Sequence, residues 1–200
     1  MNSIKILVVA LCLGTFPGIV AQDFEADLKH YRDSVDQQFA SGEGSILLKE
    51  DRVHFEGLDY FEADEKFKVS IWVELIENGE PFEMQTSTDR LPVYVPYAKL
   101  HFELDGESHA LTAYQNLTYM RMPDHEDDLF IPFNDLTNGV ESYGGGRYLE
   151  VTKDDIEGGF LDFNYCFNPY CSYNPNYSCP IPPEENMLNV RIEAGVKKWH

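Results

Sequence analysis

A chain of 200 residues with 15 Lys and Arg against 35 Asp and Glu carries a formal net charge of −20. That balance argues against nucleic-acid and anionic-lipid partners, both of which are met by basic patches. The length suits one domain with a sizeable core.

The first residues read as a secretory leader. Lys5 precedes the apolar run Ile6 to Leu13, helix-breaking Gly14, Pro17 and Gly18 follow, and Ile19-Val20-Ala21 offers a signal-peptidase site. Cleavage between Ala21 and Gln22 is expected to leave residues 22–200 as a single periplasmic or extracellular domain. The apolar run is shorter than the roughly 20 residues a membrane span needs, so no stable membrane anchor is expected after cleavage. A lipid anchor at Cys12 is disfavoured by the bulk of Leu11 before it.

Residues 23–40 predict one amphipathic helix, with Asp23 as N-cap and Gly42 beyond its end. Phe24, Leu28, Tyr31, Val35 and Phe39 recur at spacings of four and three and form its apolar stripe. The period then changes to two. "FKVSIWVEL" places Phe67, Val69, Ile71, Val73 and Leu75 on one face of a strand, and Asn78-Gly79 is expected to return "PFEMQTST" as its hairpin partner. "KLHFEL", the Asp105-Gly106 turn and "HALTAY" predict a second hairpin. Further strands are expected at "LTYMRM", "LFIPF", "RYLEV", "FLDFNY" and "LNVRIEA". The fold class expected is mainly β, an antiparallel sandwich or barrel with an N-terminal amphipathic helix.

Three phrases carry a resemblance: "FEGLDYF" (55–61), "LFIPFNDLTNGVESYGGGRYLEV" (129–151) and "LDFNYCFNPYCSYNPNYSCPIPPEENMLNVRIEAG" (161–195). On these the chain resembles, over about residues 30–195, the bacterial and archaeal family catalogued as domain of unknown function 1684, in its shorter form. The resemblance implies no activity. In its pattern Cys171 and Cys179 are usual, whereas a small residue usually stands where this chain has Cys166.

Those cysteines admit a metal site, a reactive thiol or a disulfide. Zinc takes four Cys or His ligands, and no histidine lies between His125 and His200. A reactive thiol needs a base and a lowered pKa, and no local residue visibly supplies them. In an oxidising compartment a Cys171–Cys179 disulfide is the favoured reading, contributing roughly 2–3 kcal/mol by loop closure. Cys166 is then expected to be a buried core residue, and no metal or cofactor is expected.

The same segment holds Pro169, Pro175, Pro180, Pro182 and Pro183, which resist regular structure. Asn164, Asn168 and Asn174 can satisfy turn backbone. Tyr165, Tyr170, Tyr173 and Tyr177 offer apolar area with polar tips. It reads as an irregular loop packed over one end of the fold, or as the wall of a pocket for a small molecule or glycan.

"SYGGGRYLEV" lacks the helix and Lys-Ser/Thr of a phosphate loop. Its Arg147 is expected in an ion pair with Asp135, Glu141 or Asp162, or else facing an anionic ligand. The acidic stretch "PDHEDDL" lacks EF-hand spacing and reads as a solvated loop. His54, His101 and His109 are scattered, and no nucleophile elbow or HExxH motif occurs. The function expected is a non-catalytic small-ligand or carbohydrate binding module, with Arg147, Asp135, Glu141, Asp162, Asn164 and Tyr173 as pocket candidates. The alternative is an envelope hydrolase using two carboxylates drawn from Asp135, Glu141 and Asp162.

Overall fold

The computed structural model describes residues 17–42 and 44–199, with side chains from Asp23 onward. The side chains of the expected leader and of its Ala21-Gln22 cleavage position lie outside the described residues. No described helix is long and apolar enough to cross a membrane.

The architecture is mainly β. The elements are helix α1 (Pro17–Ala40), helix α2 (Lys49–Arg52), and strands β1 (Lys68–Leu75), β2 (Phe82–Glu83), β3 (Val93–Leu104), β4 (Glu107–Asn116), β5 (Asp128–Phe133) and β6 (Arg147–Thr152). Helix α3 (Lys153–Glu157) and strand β7 (Phe160–Asp162) follow. All strand pairings are antiparallel, in the order β6-β5-β4-β3-β1-β7, with β2 added beside β3. The sheet curls into a half-barrel. One core collects Val69 of β1, Leu100 of β3, Leu111 of β4, Ile131 of β5, Leu149 of β6 and Leu161 of β7. Phe133 of β5 also meets Phe163 just past β7, ring centroids 5.4 Å apart.

The β3–β4 hairpin forms where expected. Asp105 and Gly106 both take positive φ (55° and 80°), the backbone a tight right-twisted hairpin turn requires. The other predicted hairpin does not form. Asn78 has the positive φ of a turn (57°), but the returning residues Phe82 and Glu83 pair with Tyr94 and Val93 of β3. Strand β3 runs past the end of β1, which covers its residues 98–102, and β2 takes the next stretch of that β3 edge while β4 holds the other.

Three other expected strands differ. In "LTYMRM" the Asn116 side chain accepts from the Thr118 N–H (2.9 Å), and a 3₁₀ turn runs Tyr119–Arg121. "FLDFNY" is a strand only to Asp162, whose carboxylate caps a 3₁₀ turn by accepting from the Asn164 N–H (2.9 Å). "LNVRIEA" buries Leu188, Ile192 and Ala194 but forms no ladder. The carbonyls of Ile192 and Ala194 accept from Arg147 instead.

Helix α1 begins at Pro17, so Asp23 is an interior residue and not its N-cap. Its stripe packs on its own domain as expected. Leu28 and Phe39 are buried, and Phe39 joins a second core with Ile46, Leu47, Leu58, Tyr173 and Val196. Asp36 on the same helix accepts from the Leu58 N–H (3.1 Å) and the Tyr60 hydroxyl (3.1 Å), which fixes the helix across the sheet's end.

Candidate functional site

Alternation in β5 and β6 sends Leu129, Ile131, Phe133 and Leu149 into the main core. The opposite phase puts Asp128, Phe130, Tyr148, Glu150 and Thr152 on the other face, where Phe130 stands opposite Glu150 and Asp128 opposite Thr152. That face is roofed by the proline-rich loop 167–180.

Two seams hold the roof. Phe167 and Tyr148 exchange backbone hydrogen bonds (2.9 and 3.0 Å), and the Tyr148 hydroxyl donates to the Pro180 carbonyl. On the far side the Ser87 N–H donates to the Cys179 carbonyl (2.9 Å), the Cys179 N–H to Ser87 Oγ (3.2 Å), and Ile181 N–H to the Gln85 carbonyl (2.8 Å). Asn174 Nδ2 adds a tie to the Ile46 carbonyl (2.9 Å). A loop without regular structure is thereby positioned by other segments' backbone.

Between roof and sheet lies a cavity of about 610 Å³, walled by Tyr94, Phe130, Tyr148, Phe167, Tyr170 and Tyr177. Its rings are mutually packed: Phe130 and Tyr148 meet edge to face at 4.7 Å, as do Tyr170 and Tyr177 at 5.5 Å, while Tyr94 lies tilted on Phe130 at 5.5 Å. A second cavity, about 970 Å³, runs towards α1 past Tyr31, Asp162 and Tyr165. Glu150, Val151, Asp155 and Phe167 line both, so the two share a wall at β6.

The charged groups of the first cavity are unevenly satisfied. His125 Nδ1 lies 2.6 Å from the Asp128 carboxylate, and this hydrogen bond raises the imidazole pKa. Asp155 Oδ2 accepts from the Thr152 N–H and hydroxyl, both at 2.7 Å. Arg90 donates to Ser178 Oγ (3.1 Å) and the Ser178 carbonyl (2.6 Å). Glu150 has no such partner. The protein around it, and secondarily the charge of Asp128, raise its carboxyl above the ordinary range.

Cys179 also lines this cavity. The three described cysteines are thiols, and the Cys171 N–H lies 3.1 Å from Cys179 Sγ. A hydrogen bond from Cys179 lowers the Cys171 thiol to about 6, aided by Ser87 and Tyr143, while the same bond raises Cys179. Cys166 is buried beside Gly195 and Ala194, and burial pushes its thiol up to about 11. No group of three His, Cys, Asp or Glu able to hold a metal occurs among the described residues.

The residues singled out from sequence are distributed differently. Arg147 and Asp135 form a fully buried ion pair at 2.7 Å. Glu141 pairs with Arg191 at 2.6 Å instead. Asp162 accepts from Asn164 Nδ2 (2.8 Å), and Asn164 clamps the Asp64 backbone through its amide (3.2 and 2.9 Å). Tyr173 is buried in the second core, where Asn168 Nδ2 donates to its hydroxyl (3.2 Å). Of these six, Asp162 alone lines one of the two cavities. Asp128 and His125, read from the sequence as part of a solvated acidic loop, line the first cavity, whereas Glu150, Phe130 and Tyr148 are not among the residues the sequence singles out. Their signal is the second phase of "LFIPF" and "RYLEV", which carries aromatic and acidic residues where a solvated strand face would be uniformly polar.

A family model described as "Protein of unknown function (DUF1684)" matches residues 53–197. No curated protein matches the chain. Among solved structures, the solution NMR structure of an uncharacterized protein of Haloarcula marismortui is similar, with 38% sequence identity and a TM-score of 0.68. The match covers 90% of this chain and 96% of that one.

Proposed function

This chain belongs to the DUF1684 family of proteins of unknown function, and within that family we propose that it is an exported small-ligand binding module. The observation that carries the reading is the aromatic-walled cavity of about 610 Å³. Its volume is that of small-molecule sites, and its apolar rings surround a few polar groups. Stacking on rings and acceptance by carboxylates suit a sugar or another small polar organic molecule. We also read the half-barrel as the open form of a barrel and not as a sandwich, because all seven strands belong to one curled sheet.

A thermal-shift panel of neutral sugars, carboxylic acids and ammonium compounds tests the binding function. A ligand at a hundred times its Kd adds about 2.7 kcal/mol, or about 5–10 °C in Tm for a chain of this size. The gain should disappear in Tyr119→Ala and Tyr170→Ala, whose rings stand half-exposed at the cavity mouth. A panel without hits, or hits untouched by both variants, would refute the cavity. Turnover of a panel glycoside that is lost in Glu150→Gln would instead favour a hydrolase, for which Glu150 and Asp128 supply the carboxylates.

Export rests on the leader pattern and sets the fate of the two neighbouring thiols. In an oxidising compartment Cys171 and Cys179 should close to a disulfide, staple the roof and leave Cys166 reduced. Intact mass and non-reducing peptide mapping from a native-like host should show a chain starting at Gln22 and a Cys171–Cys179 link. Retention of residues 1–21 in soluble material contradicts export, and linkage through Cys166 contradicts the staple.

A further inference from the structure

One carboxylate narrows the class of ligand that the cavity would take, an inference that rests on the small-ligand reading of that cavity. Asp128, Asp155 and Arg90 are engaged at close range by His125, Thr152 and Ser178. The Glu150 carboxylate is not, although it sits on the wall common to both cavities. Burial chiefly, and neighbouring charges including Glu150, raise the hydroxyl pKa of Tyr94 and Tyr170 on one side and Tyr31 on the other. Glu150 is thus a solvent-accessible carboxylate without a protein partner, standing opposite Phe130 on a wall rich in aromatic rings.

We propose that the first cavity binds an organic cation, an ammonium ligand bearing alkyl groups, with its charge at Glu150 and its alkyl groups against the rings of Phe130, Tyr148 and Tyr170. Aromatic faces carry negative potential and attract such cations, most strongly where water is excluded. An anion would meet Glu150, Asp128 and Asp155 together. A neutral sugar can hydrogen-bond the carboxylate but brings no charge to meet it. The second cavity continues the same character with Asp23, Asp27, Glu65 and Asp162 against Lys68. There the fold already places an ammonium group over a ring, Lys68 Nζ lying 5.9 Å from the Phe160 centroid. Carboxylates on both sides of the shared wall suit a linear polyamine as well as a compact quaternary ammonium.

The pH dependence has a definite sign. Glu150 must be ionised to hold the cation, so affinity is full above its raised pKa and is lost as pH falls through it. The groups facing it act in known directions. His125, whose pKa is raised by Asp128, weakens binding when protonated, Asp128 and Asp155 favour the cation, and Arg90 opposes it. Tyr94, Tyr148, Tyr170 and Tyr31 stay neutral with raised pKa values.

Calorimetric titration of the full chain with tetramethylammonium, spermidine and maltose tests the assignment. One ammonium probe should bind saturably, and Glu150→Gln should weaken it about tenfold, the equivalent of roughly 1.4 kcal/mol. Tyr170→Leu keeps apolar area but removes the ring face, and should weaken the ammonium probe several-fold. Glu107→Gln, on the exposed β3–β4 turn, should change nothing. Equal weakening in Glu107→Gln, or none in Glu150→Gln, would show diffuse attraction to an acidic surface and overturn the proposal. Saturable maltose binding without ammonium binding overturns the cation assignment yet leaves the ligand cavity standing. Failure of both ammonium probes to bind also overturns it.

Discussion

Arg147→Leu should cost the folded chain roughly 3–5 kcal/mol, the usual result of removing one partner from a buried ion pair. The guanidinium and the Asp135 carboxylate are both inaccessible to solvent. Arg147 also donates to the carbonyls of Ala194 (2.5 Å) and Ile192 (2.7 Å), and lies over the Phe133 ring at 5.5 Å. It therefore replaces a strand ladder along residues 192–194, and its loss leaves a charge and two carbonyls unmatched. In a chain of this size the melting temperature should fall by about 6–20 °C. Replacing Asp135 as well, in an Arg147→Leu, Asp135→Leu double variant, should recover the part due to the stranded charge but not the part due to the carbonyls. A single variant that melts within about a degree of the parent would contradict this role for the ion pair.

Asn186→Leu should be nearly as damaging, for a reason written into the β4–β5 pairing. The ladder between these strands contains a single pair, Tyr114↔Phe130. In that register Thr112 would stand opposite Pro132, which has no N–H to donate. The Asn186 side chain fills the gap: Oδ1 accepts from the Thr112 N–H (2.8 Å), while Nδ2 donates to the carbonyls of Thr112 (2.9 Å) and Pro132 (2.7 Å). Asn186 is completely buried, so no water replaces it. Each stranded backbone group costs about 1–3 kcal/mol, and the sum should be about 3 kcal/mol or more. Asn186→Asp should fare no better, since it keeps the acceptor but loses both donors and adds a buried charge. Urea titration reads the loss directly. A change below about 1 kcal/mol would mean that β4 and β5 hold together without this bridge.

These two residues show what is legible in the sequence. Arg147 stands out because it is a lone cation after three glycines, and Asp135 is among its expected partners. Asn186 carries no signal, because its role depends on a proline 54 positions earlier. The Asp105-Gly106 hairpin is readable since both its strands are adjacent in sequence. Asn78-Gly79 looks equally strong, but the returning Phe82 and Glu83 find their partners in Tyr94 and Val93 of β3, a later strand that the local window does not contain. The roof loop reads as irregular, and as a candidate pocket wall, from its prolines, asparagines and tyrosines. Which face it covers does not, because its anchors lie at residues 85–87 and 148. Glu150 consequently looks like an ordinary outward residue of a strand.

Whether ligands enter the aromatic cavity, and not the acidic surface at large, is read most directly in aromatic carbon–proton correlation spectra of the chain titrated with an ammonium probe. Saturable shifts of the Phe130, Tyr148 and Tyr170 rings are expected, with Trp72 on the outer face of β1 unmoved. Shifts spread over surface residues, with the three cavity rings unchanged at saturation, would contradict binding in the cavity.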